Sequence, residues 1–344
     1  MSVPPSIAVL VTGGAGYIGS HAVQSLLAAG HRPVILDDLS TGSVQAIPAG
    51  VLLIRGRVHD SALVASVVRE HRIEAALHFA GSILVSESVD NPLKYYDNNV
   101  AGTIGLVTGC VEAGVRAILF SSTAAVYGDP ERLPVREDDP VRPGSPYGWS
   151  KLMAERILAD AAGRHGFAHC ALRYFNVAGA DPQGRTGHFG PVTTHLIRTA
   201  CRVALGYEKV FQVFGDDYDT EDGSCVRDFI DVRDLADAHV AVLQVLLAGC
   251  SLPVLNCGYG HGYSVRQVVA AVQRVAGGPF PVTMAPRRAG DIKAMIADVG
   301  LIRRAVGWVP AHDDLDAMIA ATLASERRRA QLLGEVPSCA ASRG

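Results

Sequence analysis

The chain has 344 residues, with 31 lysines and arginines against 34 aspartates and glutamates and a formal net charge of -3. It is 49% hydrophobic and 19% charged, the composition of a packed globular protein with length for two domains or one large α/β domain carrying a lobe. This excludes a stapled mini-protein and a disordered chain, and without a basic excess neither nucleic acid nor an anionic membrane surface is an expected partner.

No long apolar run suits a membrane span, and the start has no basic segment ahead of an apolar one, so the expected location is cytoplasmic. The seven cysteines, Cys110, Cys170, Cys201, Cys225, Cys250, Cys257 and Cys339, are scattered and include no CxxC pair. They read as reduced, buried packing residues. No paired ligand spacing such as HExxH occurs among the 12 histidines, so no metal is expected.

In chain order, β-branched runs predict strands at 7–11, 34–36, 51–54, 75–79, 117–121 and 168–173. Helical spacing of apolar residues lies between them at 17–29, 61–71, 93–113 and 147–165. Apolar strands alternating with helices predict a Rossmann-type, doubly wound parallel sheet covered on both faces. The proline-rich stretch 128–146 reads as loop. After Asn176 the regularity falls, and four glycines and a proline occupy 178–190. The expected division is a dinucleotide-binding domain over 1–178, a smaller substrate lobe over 179–330, and a tail over 331–344. Helices are expected at 192–205 and 232–247, a loop at 215–223, and a return to the first domain near 226–250.

The first strand runs into Thr12-Gly13-Gly14-Ala15-Gly16-Tyr17-Ile18-Gly19, and Asp37 follows at the end of the next strand. In this strand–loop–helix setting the glycines let backbone approach a pyrophosphate at the helix N-terminus. Asp37 suits the adenosine ribose diol and repels a 2′-phosphate, which favours NAD over NADP. Further on, Tyr147-Gly148-Trp149-Ser150-Lys151 opens a helix, so the phenol and the amine lie one turn apart on one face. A cation there stabilises phenolate and makes Tyr147 a candidate base. Ser121-Ser122-Thr123 ends a strand at the sheet edge where such folds place their sites.

With these stretches, and with His78-Phe79-Ala80-Gly81, Tyr95-Tyr96-Asp97-Asn98-Asn99, Leu172-Arg173-Tyr174-Phe175-Asn176, Val226-Arg227-Asp228-Phe229 and Arg287-Arg288-Ala289-Gly290-Asp291, the chain resembles the extended short-chain dehydrogenase/reductase family. Within it, the resemblance is to the UDP-glucose 4-epimerase branch, and it covers nearly the whole length. The resemblance implies NAD-dependent interconversion of UDP-galactose and UDP-glucose through a 4-keto sugar. It makes Tyr147 the base, Thr123 the partner of the 4-oxygen, and Lys151 the cation that lowers the Tyr147 pKa. The implied cofactor set is Gly13, Gly16, Tyr17, Ile18, Gly19, Asp37, Asp38, Val58, Phe79, Ala80, Gly81, Asn98, Ser121, Tyr147, Lys151 and Tyr174. The implied set for the UDP-hexose is Thr123, Tyr147, Asn176, His195, Leu196, Arg227, Arg288 and Asp291. A homodimer through helices 93–113 and 147–165 is also implied.

Three positions depart from the family pattern: Ile83 stands where many members carry a lysine near the cofactor diphosphate, Arg57 where an acidic residue faces adenine, and Met295 at a position that gates N-acetylated sugars. Other UDP-sugars, a pentose, a uronate or an N-acetylhexosamine, are alternative substrates. A nucleotide-sugar 4,6-dehydratase is disfavoured because Thr123 is followed by Ala124-Ala125, which cannot supply the acid and base of elimination. A cofactor-binding regulator without turnover is disfavoured by the intact Tyr147, Lys151 and Thr123.

Overall fold

All five residues of strand β1, Ala8–Thr12, are buried, because alternate side chains enter two different cores. Val9 and Val11 join Ile35, Leu77 and Leu119 on one face, whereas Ala8 and Leu10 join Leu36, Ala76, Ile118 and Phe120 on the other. The computed structural model describes residues 6–190, 195–288 and 290–337. In it, β1 is followed by β2 (Arg32–Asp37), β3 (Leu52–Arg55), β4 (Ile73–His78), β5 (Ala117–Thr123) and β6 (Ala168–Tyr174). These strands and a seventh, Val254–Cys257, form one sheet in the order seventh-β6-β5-β4-β1-β2-β3. Every neighbouring pair is parallel. The strand order reverses at β1, and a crevice opens between its C-terminal end and that of β4.

Helix α1, Tyr17–Ala28, and the helix Val232–Leu247 cover one face through Val23, Leu26, Leu235, Leu243 and Leu246. Helix α2, Ser61–His71, with Gly102–Ala113 and Pro146–His165, covers the other through Val64, Val67, Leu106, Val107 and Leu158. The expected single helix over 93–113 is divided: Pro92–Tyr95 is α-helical, Tyr96–Ala101 is a π-helical turn, and Gly102–Ala113 resumes the α-helix. Asn99 accounts for the insertion, since its Nδ2 donates to Ser150 Oγ at 2.9 Å and to the Ser82 carbonyl at 3.1 Å. Ser145 starts Pro146–His165 by accepting from the Gly148 N–H at 3.2 Å, and so puts Tyr147 in the first turn.

Beyond β6 the chain leaves the main sheet. Asn176–Ala178 pairs with Phe229–Asp231, Phe211–Phe214 with Val282–Ala285, and Val226–Arg227 lies between Tyr263–Ser264 and Ala294–Met295. This lobe shares its core with the sheet, because Phe211, Val213, Phe280, Met295 and Ile319 belong to the same cluster as Val9 and Leu119. The strand Val254–Cys257 extends the return to the first domain past the expected 226–250.

Of the helix expected at 192–205, Leu196–Ala204 is present and residues 192–194 lie outside the described residues. The tail begins later than Gln331, since the helix Leu315–Leu333 runs through it and Glu335 accepts from Arg202 and Arg329. Residues 338–344, Cys339 included, are outside the described residues. Cys250 is exposed, contrary to expectation, because it follows the helix Val232–Leu247 in a surface turn; the other five described cysteines are buried.

Candidate active site

The loop between β1 and α1 is shaped by what lies against it. Gly13 has φ +70°, and a Cβ there would fall 2.6 Å from the Ala80 nitrogen, so only glycine fits beside the end of β4. A Cβ at Gly19 would fall 2.3 Å from the Gly13 carbonyl oxygen, which fixes how closely α1 approaches the loop. Beneath it, Thr12 Oγ1 and His78 Nδ1 share a hydrogen bond of 2.7 Å, and His78 Nε2 pairs with Thr103 at 3.1 Å. Burial, helped by the charge on Lys151, pushes His78 down to about 3, so it is a neutral strut between strands. No side chain caps α1, and its first-turn N–H groups and dipole are left to an anion.

At the end of β2, Asp37 accepts from the Ala15 N–H at 3.0 Å and the Leu39 N–H at 2.8 Å. Burial raises its pKa against the lowering effect of those two bonds. The carboxylate therefore ties the glycine loop to β2 while facing a cavity of about 750 Å³, a size typical of ligand pockets. Every residue of the expected cofactor set except Lys151 lines this cavity. Glycines that no Cβ could replace, an uncapped helix start and a carboxylate one strand away fit a dinucleotide with its pyrophosphate at α1 and a ribose at Asp37.

Thr123, Tyr147, Asn176, His195 and Leu196 also line the cavity. Arg227, Arg288 and Asp291 do not: Arg227 is turned toward Asp291, 3.6 Å away, and Arg288 stacks on the Phe214 ring at 3.7 Å. Met295 is buried in the strand beside Arg227 and does not reach the cavity either. His195 is held near Tyr17 and His188, with ring centroids at 5.6 and 5.3 Å. Burial and then Arg198 lower it to about 4, so it is neutral at pH 7.

Lys151 lies just behind the cavity wall, where its Nζ donates to the Ser121 carbonyl at 2.9 Å and lies 4.8 Å from the centre of the Phe120 ring. Burial raises the phenol, and a hydrogen bond with Thr123 opposes that rise. The Lys151 ammonium is thus held at the backbone of the strand end that carries Thr123. Ser121 Oγ in turn shares a hydrogen bond with the Tyr174 hydroxyl. A hydroxyl pair, Thr123 and Tyr147, thus faces the cavity with a cation one residue layer behind it.

The cavity also includes residues that sequence reasoning passed over. Phe175, between two residues that were singled out, follows from its motif. His188 has no local signal, since it lies in the irregular stretch after β6 and reaches the wall only through the fold. Arg57 is paired with Asp97 at 3.7 Å, and both line the cavity beside Val58. Ile83 lies at the wall and is half exposed, presenting no charge.

Replacing Asp37 with alanine is expected to weaken NAD binding by at least about tenfold, the worth of hydrogen bonds to a charged group, with UDP binding unaltered. Calorimetric titration with each ligand checks this, and equal losses for both would contradict the placement.

A family model described as the NAD dependent epimerase/dehydratase family matches residues 9–258. A UDP-glucose 4-epimerase of Azospirillum brasilense is 52% identical over 97% of this chain and 97% of its own length. Among solved structures, a UDP-glucose-4-epimerase of Stenotrophomonas maltophila with bound NAD and formylated UDP-arabinopyranose superimposes with a TM-score of 0.90. It is 38% identical and the match covers 95% of this chain and 99% of that one. The Brucella ovis UDP-glucose 4-epimerase in complex with NAD gives a TM-score of 0.89 at 42% identity, covering 92% and 98%. With a family model over most of its length and a relative sharing half of its residues, the chain belongs to the NAD dependent epimerase/dehydratase family.

Proposed function

We propose that this protein interconverts UDP-galactose and UDP-glucose, with Tyr147 as the base at the sugar 4-hydroxyl. The observation that carries the reading is the pair of hydroxyls, Thr123 and Tyr147, at the wall of the cavity that the glycine loop and Asp37 also line. Bound NAD supplies a reversible hydride acceptor for C4 of the sugar. Tyr147 takes the hydroxyl proton as C4 is oxidised and returns it when the 4-keto sugar has turned its other face. Thr123 holds the 4-oxygen through its hydroxyl. Its Oγ1 also accepts from the Ala125 N–H at 3.1 Å, which fixes its rotamer. Lys151 supplies positive charge behind the phenol and a donor toward the nicotinamide ribose. Ala124 and Ala125, in the short turn after Thr123, offer no acid or base, so the ketone is re-reduced rather than dehydrated.

In this reading the main sheet, with the returning segment through Cys257, holds the cofactor. The lobe holds the nucleotide sugar through Asn176, His195 and Leu196, and Arg227 and Arg288 engage the pyrophosphate on leaving Asp291 and Phe214. Among the described residues no helix is long and apolar enough to cross a membrane, which supports a cytoplasmic setting. The protein works as a homodimer. Leu93, 77% exposed, with Ile104, Trp149 and Met153 forms an uncovered apolar set on the helices at Pro92–Tyr95, Gly102–Ala113 and Pro146–His165.

The purified protein is expected to convert UDP-galactose to UDP-glucose, followed by NMR. Tyr147→Phe is expected to keep NAD binding and lose turnover by at least about a hundredfold, the usual contribution of a positioned base. Near-normal turnover in that variant would remove Tyr147 from the role. For the assembly, Met153→Glu is expected to turn a dimer into a monomer by light scattering; a wild-type monomer would contradict the pairing.

A further inference from the structure

We infer that Glu155 is a positioning residue whose carboxylate, clamped by Arg173, keeps the Lys151 ammonium charged and in place on the Ser121 carbonyl behind the cavity wall. The inference rests on the reading above in which Lys151 acts as a cation. Tyr147, Lys151 and Glu155 recur every four residues along Pro146–His165 and are all buried, so they form one stripe against the sheet. Arg173, on β6, donates to the Glu155 carboxylate through Nε at 2.9 Å and Nη2 at 2.6 Å, and both side chains are buried. Ser122 donates to the same carboxylate, and its neighbour Ser121 is the residue whose carbonyl accepts from Lys151. The Arg173 guanidinium lies 4.9 Å from the Tyr127 ring centre, and the Tyr127 hydroxyl donates to Asn256 of the seventh strand at 2.6 Å. One carboxylate therefore joins the helix of Lys151 to β5, β6 and, through Tyr127, the seventh strand.

A buried ion pair returns little stability for the desolvation it requires, so its position beside Lys151 calls for another explanation. Lys151 is itself buried, which pulls its pKa down to about 8, and Glu155 is the neighbour that opposes the fall. The other titratable or charged groups packed around Lys151 do not supply an anion. His78 from β4 is neutral, burial pushes the phenols of Tyr147 and Tyr174 up, and Arg173 is a cation already held by Glu155. Loss of the carboxylate leaves an ammonium that sheds its proton within the working range of pH.

The chain has only four lysines, Lys94, Lys151, Lys209 and Lys293, so protein labelled with 13C-lysine gives four Cε signals and Lys151→Arg identifies one of them. The expected wild-type result is a Lys151 midpoint well below the ordinary amine range. In the double variant Glu155→Gln/Arg173→Gln, which removes the carboxylate without leaving Arg173 buried and unpaired, the midpoint is expected to fall by a further unit or so, about a tenfold change in proton affinity. The alkaline limb of kcat against pH moves the same way. Glu155→Asp, which keeps the charge and folds independently of the double variant's fate, holds the midpoint near that of wild type. An unmoved midpoint in the folded double variant, or a fall in Glu155→Asp as large as removal of the carboxylate produces, overturns the inference. If the midpoint moves as expected while the wild type does not turn over UDP-galactose, the inference stands and the epimerase reading fails.

Discussion

A lysine ammonium that is only 3% exposed is a severe constraint, because removing a charge from water costs several kcal/mol unless the protein replaces its solvation. Here the replacement comes from three directions: the Ser121 carbonyl, the face of Phe120, and the Glu155 carboxylate one turn along the helix. Each belongs to a different part of the β5–helix contact, so helix and strand must hold one register for the charge to be accommodated. That register places Tyr147, one turn earlier, where its hydroxyl meets Thr123 at the end of β5. The positions of the Thr123 and Tyr147 hydroxyls at the cavity wall are thus consequences of how a buried cation is satisfied.

The cofactor half obeys a second constraint, the close approach of backbone to backbone. Gly13 must take a positive φ with the end of β4 pressed against it, and Gly19 must let the first turn of α1 meet the loop. Asp37 then closes the arrangement by bonding the N–H of Ala15 from the neighbouring strand. Both constraints are met at the C-terminal edge of one parallel sheet, which is why a dinucleotide and a sugar can share a single cavity. The sheet contributes strand ends, and the lobe supplies the remaining wall through His195, Leu196 and Phe229.

Much of this was legible in the residues. Fully apolar strands alternating with helical spacing identify a doubly wound sheet, and the glycine loop with Asp37, like the Tyr147–Lys151 spacing, carries its chemistry in local sequence. What local sequence could not carry was orientation. Spacing puts Lys151 beside Tyr147 but says nothing of the Ser121 carbonyl that takes its proton donor, nor of the burial that raises the phenol. Nor could it show that Arg227 turns to Asp291 and Arg288 to Phe214, since both partners come from elsewhere in the lobe. The π-helical turn at Tyr96–Ala101 escaped for the same reason: it is drawn out by Asn99 reaching Ser82 and Ser150, contacts 17 and 51 residues away in the chain.

In the proposed epimerisation the hydrogen of C4 departs as hydride and returns to the same carbon without exchanging with solvent. The most direct test converts UDP-galactose in D2O and examines the UDP-glucose by NMR. C4 is expected to keep its original hydrogen, with no deuterium incorporated there. Deuterium appearing at C4 in step with product would mean that inversion proceeds by exchange of a proton with solvent, and would contradict it.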